Sequence, residues 1–237
     1  MKVVIFSGGT GSIALQKGFN EHKSINVQVV INAYDNGLST GAVRKVLDGK
    51  ILGPSDLRKN QLLQAELQNT CEKDLLSFLN DRTTVKSSEE MYSYIMNRFK
   101  NLDLKSISKR NFLQSLIDSY FKSPNRDLIS YDDFSISNII YAGAAKIYDY
   151  SLERAGIHIA SKLLNLSPDS TTLVSDDSLF LQAVTETGKV ILDEGDIVKW
   201  NNPKDPIVSI KLVDVNGVSK KPAVSKHVID KINDAED

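Results

Sequence analysis

Gly8, Gly9, Thr10 and Gly11 separate the apolar run 2–5 from the helical pattern 13–19, an order that reads as strand, glycine loop and helix. Glycine reaches backbone angles closed to other residues, and the first amides of the following helix point outward, unpaired and partially positive. A phosphate or diphosphate is the natural guest of such a loop. The segment also satisfies the dinucleotide fingerprint G-x-G-x-x-A through Gly9, Gly11 and Ala14, and tight strand-to-helix packing would use the same glycines. No G-x-x-x-x-G-K-[ST] run occurs, which argues against a P-loop ATPase or GTPase.

The elements around the loop must place it. Residues 27–33 lack clean alternation and are rich in β-branched side chains, as a parallel strand buried on both faces requires. That run leads to Tyr34, Asp35, Asn36 and Gly37, so strand, loop, helix and strand form one right-handed unit with the glycine loop and Asp35 both at carboxyl strand ends. Open α/β sheets bind ligands at that edge.

Composition narrows the classes. The chain has 237 residues and a formal charge of −1, enough length for one large α/β domain and no basic face for nonspecific nucleic-acid or membrane-surface binding. The expected partner is therefore a small ligand, with no nucleic acid and no membrane; composition leaves the oligomeric state open, a homodimer included. No charged leader, cleavage site or span of about 18 apolar residues is present, which predicts a cytoplasmic, soluble protein. Cys71 is the single cysteine and reads as a packing residue. His22, His158 and His227 stand too far apart for metal-ligand spacing.

After the first 80 residues, a nucleotide-binding segment with helices at 42–47 and 57–80, the character changes. Ser87 and Glu90 form a capping box, and apolar residues from Phe112 to Phe121 recur at helical spacing, so 81–131 reads as a helical insertion. A helix with a small-residue face begins near Ser137, suited to close packing on a sheet, and 152–164 is a second amphipathic helix. Strands are expected at 171–174, 179–186, 189–192 and 207–213, with Thr187 and Gly188 turning a hairpin, and 132–237 continues the α/β domain. Asp176 and Asp177 read as a turn or solvated loop. The helix 224–232 precedes 233–237 without a returning strand, as in a short family member or a fragment. The fold class is α/β: a Rossmann-like three-layer parallel sheet with a helical insertion and a β-hairpin.

Four segments resemble the CofD family, the 2-phospho-L-lactate transferases and their bacterial relatives called gluconeogenesis factors. Gly8 to Gly11 matches the opening G-G-T-G. Ala33 to Gly41 is similar to A-D-D-G-G-S-S-G, Gly53 to Arg58 to P-P-G-D-I-R, and Phe134 to Ile139 to H-S-L-G-N-L. The chain departs where the paired acids become Asp35 and Asn36, the histidine becomes Phe134, and the glycine before asparagine becomes Ser137.

The resemblance implies a nucleotide diphosphate or nucleotide sugar in a groove at the strand ends, and a Mg²⁺-assisted transfer of a phospholactyl-type group. It assigns metal binding to Asp35 and Asp56, phosphate neutralisation to Arg58, and ligand contacts to Gly8, Gly9, Thr10, Gly11, Ser39, Thr40 and Asn138. Two rival readings stand beside it. One is a noncatalytic nucleotide-sugar-binding regulator of cell-wall or carbon metabolism. The other is an NAD-dependent oxidoreductase in which Asp35 holds a ribose. Local structure offers simpler roles too, since Asp35 can start a turn and Asp56 can cap a helix.

Overall fold

Three strands align the ends that matter. β1 (Lys2–Ser7) pairs in parallel with β2 (Asn26–Ile31), and β2 with β5 (Thr171–Leu173), giving the order β1-β2-β5. Ser7 lies opposite Ile31 and Ile31 opposite Leu173, so the segments that follow all three strands leave at one edge. Val29, Val30 and Ile31 are wholly buried, which is why β2 shows no alternation in sequence. β1 ends the sheet on its other side, with Phe6 exposed. This computed structural model describes residues 1–8, 11–22 and 24–235; Gly9 and Thr10 of the expected ligand loop lie outside the described residues, as do Glu236 and Asp237 of the terminal segment.

α1 (Ile13–Asn20) connects β1 to β2, as the glycine-loop pattern requires. Between β2 and β5 run α2 (Leu38–Val46), α3 (Pro54–Leu67), α4 (Lys73–Asn80), β3 (Arg82–Thr83), α5 (Ser88–Lys100), α6 (Ile107–Phe121), a 3-10 turn (Pro124–Leu128), β4 (Phe134–Ser135), α7 (Ile136–Ile147) and α8 (Leu152–Lys162). β3 and β4 pair antiparallel, and the Ser87–Glu90 capping box is formed. The helix expected over 57–80 is two helices. Asn69 takes a left-handed φ of 51°, Thr70 N donates to Ala65 O and Asn69 N to Glu66 O, the closure that stops a helix when a small polar residue accepts that conformation.

α3 is buried on nearly every side although it is rich in polar residues, among them Ser55, Asn60, Gln61 and Gln64. Burial on that scale requires partners for each polar group. Gln61 Nε2 donates to Gly156 O (3.1 Å) and to Thr171 Oγ1 (2.7 Å), and Gln61 Oε1 accepts from Tyr141 Oη (2.5 Å), so one side chain joins α3 to α7, α8 and β5. The small-residue face of α7 packs differently from the expectation: Gly143 lies against the backbone of Leu116 in α6, not against a sheet. The apolar residues of α4 to α8 share one core with β2 and α2, so 81–131 contributes side chains to the main hydrophobic cluster. Cys71 is buried there, its thiol pushed up to about 11 by burial and then by Glu72. His158 stacks on Tyr148.

The last third adds an antiparallel sheet ordered β7-β6-β8, from β6 (Phe180–Thr185), β7 (Val190–Ile191) and β8 (Ile207–Val213), with Gly188 at φ 88° in the hairpin turn. A short helix the sequence pattern did not reveal, α9 (Glu194–Lys199), places Ile197 on Ala183 and Ile191. α10 (Lys226–Asn233) packs on β5. No helix among the described residues is long and apolar enough to cross a membrane.

Asp176 and Asp177 are more than a solvated loop. Asp176 Oδ1 accepts from Leu152 N and Glu153 N (both 3.0 Å) and Oδ2 from Ser151 Oγ (2.5 Å), which caps α8 from a distant segment, while Asp177 Oδ2 accepts from Ala223 N (2.7 Å). Asp176→Ala leaves two first-turn amides without this acceptor and is expected to cost about 2 kcal/mol. Urea denaturation checks this; a loss below about 0.5 kcal/mol, the scatter of ordinary surface substitutions, would remove the cap from the account.

Candidate functional site

Asp35 follows β2 and is fixed on both oxygens. Oδ1 accepts from Gly37 N (2.8 Å) and Oδ2 from Thr40 Oγ1 (3.1 Å), so the carboxylate closes the turn into α2. The turn-forming role read from sequence is therefore real, and it also holds the group in one orientation. Two glycines allow the surrounding backbones to meet: a Cβ on Gly41 would overlap the carbonyl of Asn36, and one on Gly53 the carbonyl of Asp35. α2 and α3 can thus converge on the loop after β2.

A buried relay joins these helices. Thr40, whose own proton goes to Asp35, accepts from the Ser55 hydroxyl, Ser55 Oγ lies 3.4 Å from Asn138 Oδ1, and Asn138 Nδ2 donates to Ser39 Oγ (3.2 Å). Arg58 Nε donates to the same Asn138 Oδ1 at 2.5 Å. Asn138 is wholly buried, so it holds Arg58 and Ser39 from beneath the cleft. Arg58 is only 5% exposed, and its two terminal nitrogens have no hydrogen-bond partner among the described residues. Burial, then the charge of Arg82, lowers the guanidinium to about 10. A buried cation in that condition favours an anion.

The cleft has a volume of about 330 Å³; Asp35, Ser39, Thr40, Ser55 and Arg58 form one wall, and Glu194, Gly195, Val198 and Lys199 of α9 another, with Lys59 and Arg82 at the margin. Asp56 stands beside it, 8% exposed, with Oδ1 3.6 Å from Lys59 Nζ. Gly8 and Gly11 flank the end of β1, where a Cβ on either meets nothing within 4 Å. Packing within the described residues gives no reason for glycine at those two positions. At the end of β1, Ser7 and Ser12 hydroxyls are 2.7 Å apart, Gln16 Nε2 donates to Ser12 Oγ (2.8 Å) and Asn60 Oδ1 (2.6 Å), and Asn60 Nδ2 donates to Asp56 O (2.8 Å). That network ties the glycine loop to the helix carrying Asp56 and Arg58.

The sequence reading did not include Glu194. Its Oε2 accepts from Asn36 N at 3.0 Å, and its carboxyl meets that of Asp35. Burial and the hydrogen bond with Asp35 raise its pKa. The only local signal is an acid following a two-residue strand, with Asp193 capping a six-residue helix, too short for a periodic pattern. Arg44 is the other charge not anticipated. It lies 1% exposed over the Phe180 ring (3.7 Å), donates to Leu179 O (2.7 Å), and is lowered to about 10 by burial against the opposing charge of Asp35.

Asp35, Ser39, Thr40 and Arg58 thus meet in one cleft, while Asp56 and Asn138 adjoin it. Comparisons with known proteins agree with this architecture. Two crystal structures of one Bacillus halodurans protein, a member of the upf0052 family, superpose with TM-scores of 0.63 and 0.62 at 19% and 20% identity, covering 98% and 97% of this chain. The chain spans about half of that protein, 55% and 54% of the solved chains. A Thermotoga maritima protein provisionally named gluconeogenesis factor is 37% identical over 79 residues, 33% of this chain and 23% of its own. The family model described as 2-phospho-L-lactate transferase CofD matches residues 3–236, and the chain belongs to the CofD family.

Proposed function

We propose that the cleft binds the diphosphate of a nucleotide or nucleotide sugar with a divalent cation, and that the chain acts as a transferase of phosphorus-containing groups of the phospholactyl type. The observation that carries this reading is Arg58, buried, charged and unpartnered at its terminal nitrogens on the cleft wall. The open surroundings of Gly8 and Gly11 support it, because a ligand can approach that backbone closely.

The donor set suits a hard cation: carboxylates of Asp35 and Glu194 with the hydroxyls of Ser39 and Thr40 nearby. No group of three or more His, Cys, Asp or Glu able to hold a metal occurs among the described residues, so the cation in this reading would take one or two carboxylates here and its other ligands from substrate phosphates and water. Such an ion supplies Lewis-acid stabilisation of phosphoryl charge. Asp35 would hold it, and Asp56, which adjoins the cleft without lining it, would contribute negative charge from beside the site. Arg58 neutralises the oxygens on which charge develops, and Asn138 keeps that guanidinium from turning away. Ser39 and Thr40 orient the ligand, and positioning promotes attack of an acceptor hydroxyl on the transferred phosphorus, with the hydroxyl proton lost to solvent as the bond to the nucleotide phosphate breaks and the nucleotide monophosphate leaves.

Calorimetric titration with GDP, UDP-N-acetylglucosamine and NAD, each with and without Mg²⁺, tests the reading. GDP is expected to bind about tenfold more tightly with Mg²⁺, a gain of about 1.4 kcal/mol, and Asp35→Ala to abolish that gain. Metal-independent binding of the nucleotide sugar without turnover would instead select the regulatory reading, which the name of the Thermotoga maritima relative and the replacement of an acid by Asn36 favour. Binding of NAD alone would overturn both.

A further inference from the structure

We propose that Glu194 supplies the second carboxylate of a divalent-cation site with Asp35, replacing from the C-terminal sheet the acid that position 36 lacks. This rests on the reading of the cleft as a diphosphate site and extends it to a residue outside the motifs. Asn36 contributes its backbone amide, not a carboxylate, and that amide holds Glu194 Oε2 at 3.0 Å. The Asp35 carboxylate beside it cannot swing away, because Gly37 N and Thr40 Oγ1 fix its two oxygens. Glu194 is held from the other side, since Ile197 anchors α9 on Ala183 and Ile191.

Two carboxyls that line one cleft repel when both are ionised, and either a shared proton or a cation removes the repulsion. An independent feature points to the rest of the ligand. Arg58 lines the same cleft with its terminal nitrogens unpartnered, so it calls for an anion beside the cation. A metal-bound diphosphate meets both demands. The hairpin β6–β7 and α9 thereby acquire a role: they carry the second ligand to a site built 158 residues earlier in the chain.

The experiment uses Mn²⁺ alone as a calorimetric probe, then GDP with and without Mg²⁺, on the wild type, Glu194→Gln, and Glu194→Gln combined with Asn36→Asp. Glu194→Gln is expected to weaken Mn²⁺ by about tenfold or more, since one charged ligand is lost, and, by taking a negative charge out of the cleft, not to weaken metal-free GDP binding. The double variant is expected to recover Mn²⁺, which separates a lost ligand from a disturbed fold. Melting in EDTA provides the folding control. Wild-type-like Mn²⁺ binding by Glu194→Gln, or no Mn²⁺ binding by the wild type, overturns the proposal. So does a loss of metal-free GDP binding by Glu194→Gln as large as its loss of Mn²⁺, which would mark a disturbed cleft in place of a lost metal ligand. If the wild type binds Mn²⁺ through Glu194 but no GDP, the nucleotide reading fails while the cation site stands.

Discussion

Gly143→Ala is expected to destabilise the chain by about 3 kcal/mol, the upper range for forcing volume into a packed interior. The added Cβ would overlap the Leu116 carbonyl oxygen and lie 2.9 Å from its carbonyl carbon, both backbone atoms of α6. No rotamer change relieves such a contact. α6 would have to shift as a body, and Leu113, Leu116, Ile117 and Tyr120 are all wholly buried on it. Helix propensity works the other way by about 1 kcal/mol, so a neutral result is possible only if the helices do not approach this closely. Gly18 in α1 is the control: a Cβ there meets nothing within 4 Å, so Gly18→Ala is expected to stabilise by about 0.5–1 kcal/mol. Urea denaturation of the pair checks both signs, and a Gly143→Ala protein within about 1 kcal/mol of wild type would refute the packing.

Gly143 also shows what could be read in advance. A small-residue face is visible in the sequence, and that it serves close approach follows from sterics; which element approaches does not, since a helix and a sheet make the same demand. The signals that did translate were local. Residues 2–31 dictate strand, glycine loop, helix and strand through composition and spacing, Ser87 and Glu90 cap α5 within four residues, and Gly188 turns its hairpin. Asn69 could not be recognised as a helix stop because the residue by itself is compatible with continuing.

The candidate site divides in the same way. Asp35, Ser39, Thr40 and Arg58 belong to segments that fold near one another in the chain, and their motifs announce them. Glu194 reaches the cleft only because β6, β7 and β8 pair and carry α9 to Asn36. Nothing near Glu194 in sequence encodes that encounter. The buried polar face of α3 was likewise hidden, since Asn60, Gln61 and Gln64 look solvent-facing until the partners that satisfy them, from α1, α8 and β5, are known. Local chemistry was therefore legible and long-range partnership was not.

Arg58→Met is expected to change stability and binding in opposite directions. Methionine approximates the buried stem and removes the charge. In the wild type the guanidinium is 95% buried by exposure, makes one side-chain hydrogen bond through Nε, and is depressed to about 10 chiefly by desolvation. Asn138 Oδ1 loses its 2.5 Å donor when Arg58 is gone and keeps the Ser55 hydroxyl 3.4 Å away, which offsets part of the gain. Removing a buried, incompletely paired cation is expected to raise the unfolding free energy by about 1 kcal/mol. Diphosphate binding loses its charge-assisted donors, about 2–3 kcal/mol or roughly 30- to 150-fold in Kd for GDP. A structural arginine would behave otherwise: its loss would lower the unfolding free energy and leave Kd nearly unchanged. Urea denaturation and calorimetry on the same preparation distinguish the two. Destabilisation with intact GDP affinity would remove Arg58 from the site, whereas a more stable protein with weakened binding would mean that the chain keeps a largely desolvated, incompletely paired charge on the cleft wall because the ligand completes it.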